Sequence, residues 1–307
     1  MALAQLKTLS ILAPAKINLF LHVTGRRDDG LHLLDSLVGF TDIGDEITIE
    51  PAQDFSFHIT GPFARDFPEA EKTALAESGN IVVKAAHALA QLSGQSLECK
   101  ITLQKNLPLA SGIGGGSSDA AACLWGLIKL WGLSAQAPFI DELLLSLGAD
   151  IPVCFSCKTA RMRGIGEAIA PLRKCPEVPI LLVNPRQHCS TVDIFKGFEL
   201  PAAEPIERLG AFENIGFDDI YQLSAFLKTV DNHLYKPALV QQPILAEILN
   251  ALAETEDALI ARMSGSGATC FALYADENAA QRAAEQIMVN HPQWWVKMGW
   301  LNRPVRY

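Results

Sequence analysis

The chain has no apolar run of the roughly 18 residues that a membrane-spanning helix needs, which argues against an integral membrane protein. Its first residues, MALAQLKTLSILAPAKINLFL, are broken by Pro14, Lys16 and Asn18. They lack the ordered charged, apolar and small-residue regions of a secretory leader, so the cytoplasm is the expected location. Positive charge is in deficit: 25 Lys and Arg face 34 Asp and Glu, for a net charge of −9. With no basic stripe either, nucleic acid is not expected as a partner, although a small anion needs only a local pocket. The seven cysteines, at positions 99, 123, 154, 157, 175, 189 and 270, are odd in number and irregular in spacing. A disulfide framework is excluded on that count, and free thiols in a reducing compartment are expected. The single C-x-x-C, Cys154 to Cys157, lacks the second pair that a zinc site would want. Buried structural thiols are expected there, in the strand-like run Ile151 to Phe155. There is no internal repeat and no low-complexity tract.

What is present is an ordinary globular composition, 49% hydrophobic and 19% charged over 307 residues. That is enough for a sizeable core and about two domains. Alternation predicts strands at Ile17 to Val23, Ile47 to Glu50, Phe55 to Ile59 and Leu97 to Leu103. Helical spacing predicts helices over Asn80 to Leu92, Asp119 to Trp131 and Phe139 to Leu147. Further along, a hairpin is expected at Arg161 to Ala170, a buried strand at Ile180 to Val183 and a loop from Glu199 to Asp219. Helices follow at Ile220 to Lys228, Ile244 to Leu252 and Glu277 to Val289, with a strand at Thr269 to Tyr274. Strand runs mixed with helices, without a strict βαβ rhythm, imply an α+β fold rather than a doubly wound parallel sheet.

The densest signal is LPLASGIGGGSSDAAA, Leu107 to Ala122, lying between a strand and a helix. A helix N-terminus offers unpaired N–H groups and a positive dipole end, and glycines let the backbone approach an anion. Ser117 and Ser118 add hydroxyl donors and can cap the helix. The stretch therefore reads as a phosphate cradle. It is not a Walker A loop, because no Lys follows the glycines. It is not the dinucleotide fingerprint either, because G-x-G-x-x-G fails at Ser117 and no acidic residue follows within Ser134 to Pro138. Phosphoryl transfer also needs charge neutralisation and an oriented nucleophile. Lys16 and Asp150 are the candidates. Alone, Lys16 reads as a snorkelling surface lysine and Asp150 as a loop or capping aspartate; together with the cradle they read as chemistry.

Three segments, APAKINLFLHV at Ala13 to Val23, LPLASGIGGGSSDAA at Leu107 to Ala121 and RMSGSGATCFALY at Arg262 to Tyr274, together resemble the GHMP kinases. The GGGSSDAA form of the loop, PAKINLFLHVTGRRDDG with His32, and LGADIPVCF at Leu147 to Phe155 are most similar to the branch acting on 4-diphosphocytidyl-2-C-methyl-D-erythritol. The resemblance implies a two-domain GHMP fold, with an ATP-binding, catalytic domain over 1–160 and a substrate-side domain over 161–307. It implies ATP as co-substrate, with Mg²⁺ on its phosphates, and a small-molecule alcohol as acceptor. Pro108, Leu109, Ala110, Ser111, Gly112, Ile113, Gly114, Gly115, Gly116, Ser117 and Ser118 would cradle the ATP phosphates, and Asn80 would contact adenine. Asp150 would be the general base, and Lys16 would stabilise charge on the transferring group. Asn18, His32, Thr191 and Phe195 would hold the substrate, and the third motif, Gly265, Ser266 and Gly267, would close over the site. Two residues depart from the family pattern: Leu31 stands where a tyrosine is usual, and His233 where an aspartate is usual. A GHMP kinase for another alcohol, of homoserine or mevalonate type, is disfavoured by DGLH and LGADIPVCF. A non-catalytic ligand sensor of the same fold is disfavoured by the presence of both Lys16 and Asp150.

Overall fold

A computed structural model describes residues 8–72, 79–187, 189–198 and 216–304. The first ten elements are β1 (Leu9–Arg26), β2 (His32–Pro51), β3 (Ser56–Thr60), α1 (Ile81–Ser93), β4 (Cys99–Gln104), α2 (Gly115–Trp131), α3 (Ile140–Leu147), α4 (Ile151–Ser156), β5 (Ala160–Gly164) and β6 (Ala168–Pro171). The chain continues with β7 (Val178–Asn184), α5 (Thr191–Lys196), α6 (Ile220–Leu227), α7 (Tyr235–Gln241), α8 (Ile244–Ala253), β8 (Ile260–Met263), β9 (Cys270–Leu273), α9 (Glu277–Asn290) and β10 (Trp295–Leu301). The loop expected from Glu199 to Asp219 lies mostly outside the described residues.

The long strand β2 is the spine. Along one edge it pairs antiparallel with β1 for nearly its whole length. Along the other it takes β5 at Leu34 to Val38, touches β10 at Thr41, and takes β4 at Glu46 to Pro51. From β10 the sheet continues through β7 and β9 to β8. Among the described strands, β3 and β4 form the one parallel pair. The mostly antiparallel sheet with segregated helices is the α+β arrangement that the sequence implies.

Three buried clusters organise the core. Ile47, Ile49, Ile101 and Leu103 of the sheet meet Val82 and Leu89 of α1 and Ala121 and Leu124 of α2. In the second cluster, α8 and α9 pack on β7 and β9 through Leu245, Ile248, Ala280 and Ile287. The third joins the two sides, with Ile17 and Leu19 of β1, Leu107 and Ile113 of the glycine loop and Phe271 of β9 in contact. Burial of these side chains holds the glycine loop against strands from both ends of the chain.

Local chemistry sets the element boundaries. Asn80 caps α1 by accepting from the Val82 N–H at 2.9 Å, and Gly94 ends it at φ 68°. The apolar run at Ile151 is the helix α4, not the strand expected. Pro152 sits in its first turn, where proline's missing N–H costs nothing, and so short an apolar run has no period that separates helix from strand. All seven cysteines are free, and burial pushes the Cys154 thiol up to about 12. No helix among the described residues is long and apolar enough to cross a membrane.

Candidate active site

The cradle is built where β4 hands over to α2. Gly114 is the N-cap residue at φ 63°, in the left-handed region, and no side chain caps the helix. The helix starts at Gly115, earlier than the expected Asp119, so Ser117 and Ser118 lie inside its first turn and do not cap it. Ser118 is buried, with its hydroxyl directed at Cys154 Sγ, 3.5 Å away. The Ser118 N–H bonds to the Gly114 carbonyl at 2.9 Å. The N–H groups of Gly115, Gly116 and Ser117 precede it, at the positive end of the helix dipole.

A cavity of about 490 Å³ lies over this helix end. Its wall takes Pro108, Leu109, Ala110, Ser111, Gly112, Gly114, Gly115, Gly116 and Ser117 from the loop and Asn80 from the cap of α1. From far along the chain it takes Lys16, Asn18, Asp150, Thr191, Phe195, Gly265 and Ser266. Ile113 and Ser118 are buried and do not line it. Gly267, also outside the lining, sits with Ser264 within 2.7 Å of where a Cβ on Gly112 would be. That crowding, with Gly112 at φ 73°, presses the third motif and the cradle together backbone to backbone. The Lys16 N–H donates to the Ile113 carbonyl at 2.9 Å, the Thr269 N–H to Ser111 at 3.1 Å, and Ser264 Oγ to Gly112 at 3.1 Å.

Lys16 lies in the middle of β1 and is 5% exposed, so it is not a surface lysine. Its Nζ is 2.7 Å from Asp150 Oδ2. Asp150 stands at the N-cap position of α4 yet makes no capping bond. Its side chain is 37% exposed. The second oxygen, Oδ1, has no hydrogen-bond partner among the described residues. A cation fixed on one carboxylate oxygen, with the other free at a cavity wall, is the arrangement a general base requires.

The third motif is held on its far side by Asn232, whose Nδ2 donates to the Met263 and Gly265 carbonyls, each at 2.8 Å. Ser266 Oγ meets Thr191 Oγ1 at 2.8 Å. Thr191 and Phe195 both lie on α5, a short helix capped by Ser190. They border a second cavity of about 610 Å³, lined also by Arg26, Leu31, His32 and Phe198. The two cavities share Leu34, Thr191 and Phe195. His32 does not line the first cavity; its ring lies 4.9 Å from that of Phe195. Burial, reinforced by the charge of Arg26, lowers its pKa below the ordinary value and favours the neutral imidazole.

Sequence reading missed the support beneath the cradle. Lys105 is 1% exposed, with Nζ 2.5 Å from Asp45 Oδ2 and 2.7 Å from Asp119 Oδ2. Asp45 Oδ1 also accepts the N–H groups of Asn106 and Leu107, fixing the start of the loop. Burial pushes the Lys105 pKa down, but the two carboxylates outweigh it and the net shift is upward. Burial, together with the charge of Asp45, holds the Asp119 carboxyl well above the usual range. The only signal available was the sequence of charges Asp45, Lys105 and Asp119 at buried strand and helix positions, with nothing local to pair them.

The strand, glycine loop and helix beside a paired lysine and aspartate are compatible with phosphoryl transfer, and the chain's likenesses define a phosphotransferase of the GHMP class. Residues 80–158 match the GHMP kinases N-terminal domain and residues 219–290 the GHMP kinases C-terminal domain. The 4-diphosphocytidyl-2-C-methyl-D-erythritol kinase of Paramagnetospirillum magneticum is 45% identical over 289 residues, covering 94% of this chain and 96% of that protein. The enzyme of the same name from Cereibacter sphaeroides is 46% identical, covering 92% and 96%. A crystal structure of 4-(cytidine 5'-diphospho)-2C-methyl-D-erythritol kinase superposes with a TM-score of 0.73 at 29% identity, covering 96% of this chain and 100% of that one. The chain belongs to the 4-diphosphocytidyl-2-C-methyl-D-erythritol kinase family. Membership of a kinase family implies ATP as the co-substrate.

Proposed function

We propose that the protein transfers the γ-phosphoryl group of ATP to the 2-hydroxyl of 4-diphosphocytidyl-2-C-methyl-D-erythritol, a step of non-mevalonate isoprenoid precursor synthesis. The observation that carries this reading is the 2.7 Å pair of Lys16 and Asp150 at the wall of the cavity that also holds the cradle. Asp150 Oδ1 takes the proton of the attacking hydroxyl as its oxygen bonds to the γ-phosphorus and the bond to ADP breaks. Lys16, anchored on Oδ2, keeps that carboxylate aimed and places positive charge beside the transferring group. In this reading the N–H groups of Gly115, Gly116 and Ser117 donate to phosphate oxygens, and Asn80, at the wall of the same cavity, contacts adenine. The second cavity takes the cytidine end between His32, Thr191 and Phe195.

Mg²⁺ fits as an ion carried in on the nucleotide. The wall offers the free Oδ1 of Asp150, the Glu71 carboxylate and the Ser117 hydroxyl, with Asp119 already committed through Oδ2 to Lys105. Among the described residues no group of three His, Cys, Asp or Glu forms a protein-only cage. That donor set suits an ion that keeps its waters and leans on phosphate. When bound, the ion neutralises charge on the β- and γ-phosphates. Seven unpaired cysteines suit the reducing cytoplasm in which we place the protein.

The test is turnover with the diphosphocytidyl substrate, read as ADP release, in wild type, Asp150→Asn and Lys16→Met. A positioned base contributes about 10²–10⁴-fold, so Asp150→Asn should lower kcat in that range with ATP affinity kept. The double variant should lose far less than the product of the single losses, because the two side chains act as a unit. Wild-type turnover in Asp150→Asn would sink the assignment.

A further inference from the structure

The segment Asp231 to His233, which follows α6, lies along β1 as a short parallel bridge, with Leu21 opposite Asn232. Leu21 uses both of its backbone groups: its N–H donates to the Asp231 carbonyl at 3.1 Å, and its carbonyl accepts the His233 N–H at 2.8 Å. Two histidines repeat the exchange with their side chains. The Asp231 N–H donates to Nε2 of His22 on β1, and the Val23 N–H of β1 donates to Nδ1 of His233, each at 3.2 Å. The two rings stack on one another, with centroids 4.3 Å apart. A ring nitrogen that accepts carries no proton, so each imidazole is neutral, with its proton on the other nitrogen: Nδ1 of His22 and Nε2 of His233.

Between the two clamped positions sits Asn232, 7% exposed. Its Nδ2 holds the Met263 and Gly265 carbonyls, and its Oδ1 accepts the Leu234 N–H at 2.9 Å. Gly265 and Ser266 line the first cavity, and the third motif presses on Gly112 of the cradle. The clamp is thereby tied to the wall of the phosphate site. Protonating either ring replaces an acceptor by a donor that faces an N–H, and sets a charge against the other ring. The charged groups facing His22 are Asp35, opposite it in register on β2 and paired with Arg161, then Asp231 in the clamp, and Arg262 of β8, 3.9 Å from Asp231. His233 also stacks on Phe198 at 6.1 Å, and Phe198 meets His32 of β2 edge-on at 6.4 Å. Burial and the second ring outweigh the two carboxylates, so the folded His22 resists protonation down to about 4.

We propose that His22 and His233 are positioning residues: as a neutral stacked pair they clamp the 231–233 segment to β1 and, through Asn232, hold the third motif against the cradle, so that phosphoryl transfer depends on the pair staying uncharged. This rests on the kinase reading above. Opened, both rings take protons at the ordinary value of about 6.5; clamped, they resist them, so the open form gains as pH falls below about 6.5. His233 stands where the family pattern has an aspartate, and a carboxylate Oδ1 occupies the same place along the side chain as the imidazole Nδ1. An aspartate would accept the Val23 N–H without titrating in this range; the histidine adds the proton sensitivity.

The experiment follows kcat/KM for the diphosphocytidyl substrate from pH 8 to pH 5 in wild type, His233→Ala, His233→Asn and the double variant His22→Gln with His233→Asn. Glutamine and asparagine keep an acceptor at the bonded position, Oε1 for Nε2 and Oδ1 for Nδ1, and do not titrate. At pH 8 His233→Ala should lose about tenfold, the size of one buried hydrogen bond, and His233→Asn should recover most of that loss. On the acid side the midpoint of the fall should move down by about half a pH unit or more in the double variant. A merely structural pair would lower activity equally at every pH; parallel profiles for wild type and the double variant overturn the proposal. A second measurement needs no turnover. By NMR at pH 8, the imidazole nitrogen shifts of wild type should place the proton on Nδ1 of His22 and on Nε2 of His233. The backbone amides of Gly265 and Gly267 should then shift as pH falls to 5 in wild type and stay in place in the double variant. The opposite tautomers, or equal shifts in the two proteins, would also overturn it. If wild type fails on the parent substrate while the NMR pattern holds, the kinase reading fails and the clamp stands.

Discussion

Lys105 and Asp119 form an ion pair of 2.7 Å directly beneath the glycine cradle, with both side chains 2% exposed. Asp45 completes the group at 2.5 Å from the same ammonium. Removing the cation leaves two buried carboxylates uncompensated, a defect of about 3–5 kcal/mol. Lys105→Met should therefore destabilise the fold by about that amount. Asp119→Asn keeps the shape, and burial together with Asp45 already favours the neutral form of that carboxyl, so it should be much milder. Urea denaturation of both variants decides; equal losses would mean that the charge balance is not what holds the cradle.

The same triad decides which glycine of the cradle can be tested for phosphate binding. At Gly115 a Cβ would lie 3.2 Å from Lys105 Nζ and 3.7 Å from Asp45 Oδ2, pointing into the ion group. Gly115→Val should cost about 1–3 kcal/mol of stability by overpacking, whatever it does to ATP. At Gly116 the nearest atom is Ile81 Cγ2 at 3.6 Å, and the residue lines the cavity. Gly116→Val should keep the melting temperature and weaken ATP binding by about tenfold or more, a loss of roughly 1.4 kcal/mol. Calorimetric titration with unchanged ATP affinity in Gly116→Val would reduce the cradle to a connector.

How far the sequence reaches is clear from these residues. Strand, glycine loop and helix follow one another locally, so that order was legible. Lys16 and Asp150 could be singled out as candidates beside the glycine loop, but their pairing was legible only through motif resemblance, because no periodicity brings residues 134 positions apart into a 2.7 Å contact. Lys105 was not legible at all. A lysine at a strand end reads as solvated, and its burial depends on two carboxylates supplied by other elements. Short elements failed for another reason. The seven-residue α7 and the six-residue α5 and α4 hold less than two turns, too little for a 3.6-residue period to stand out.

His22 and His233 stack with ring centroids 4.3 Å apart, against Phe20 on one side of His22. Burial, then the charge of His233, lowers the His22 pKa to about 4, although Asp35 and Asp231 pull it up and Arg262 opposes them. The unfolded chain binds that proton at the ordinary value of 6.5, so between the two values it carries more protons than the native state. Stability is therefore lost as pH falls from about 6.5 toward 4. His22→Phe keeps a ring in the stack and removes the titration. Its melting temperature should fall less than wild type's between pH 7 and pH 5; the slope should shrink rather than vanish, since His32 is shifted in the same direction. Parallel slopes for the two proteins would show that His22 is not the group responsible.

Leu31 is 49% exposed and lines the second cavity with His32 and Phe195. The family pattern has a tyrosine there, whose flat face suits a base. Base–aromatic stacking is worth about 1–3 kcal/mol, and leucine keeps apolar contact without the π-face. Phe195 and His32, 4.9 Å apart, are then the rings left to hold the cytosine. Leu31→Tyr should lower KM for the diphosphocytidyl substrate, and Phe195→Ala should raise it by about tenfold or more. KM for ATP should move little in Leu31→Tyr, because Leu31 does not line the cavity that holds the cradle. The decisive comparison sets the diphosphocytidyl substrate against the same polyol phosphate without cytidine. The cytidine end should improve kcat/KM strongly in wild type, and Leu31→Tyr should widen the gap. Equal kcat/KM for the two substrates would remove cytidine from the second cavity and leave a phosphotransferase that recognises its alcohol at Asn18 and Asp150 alone.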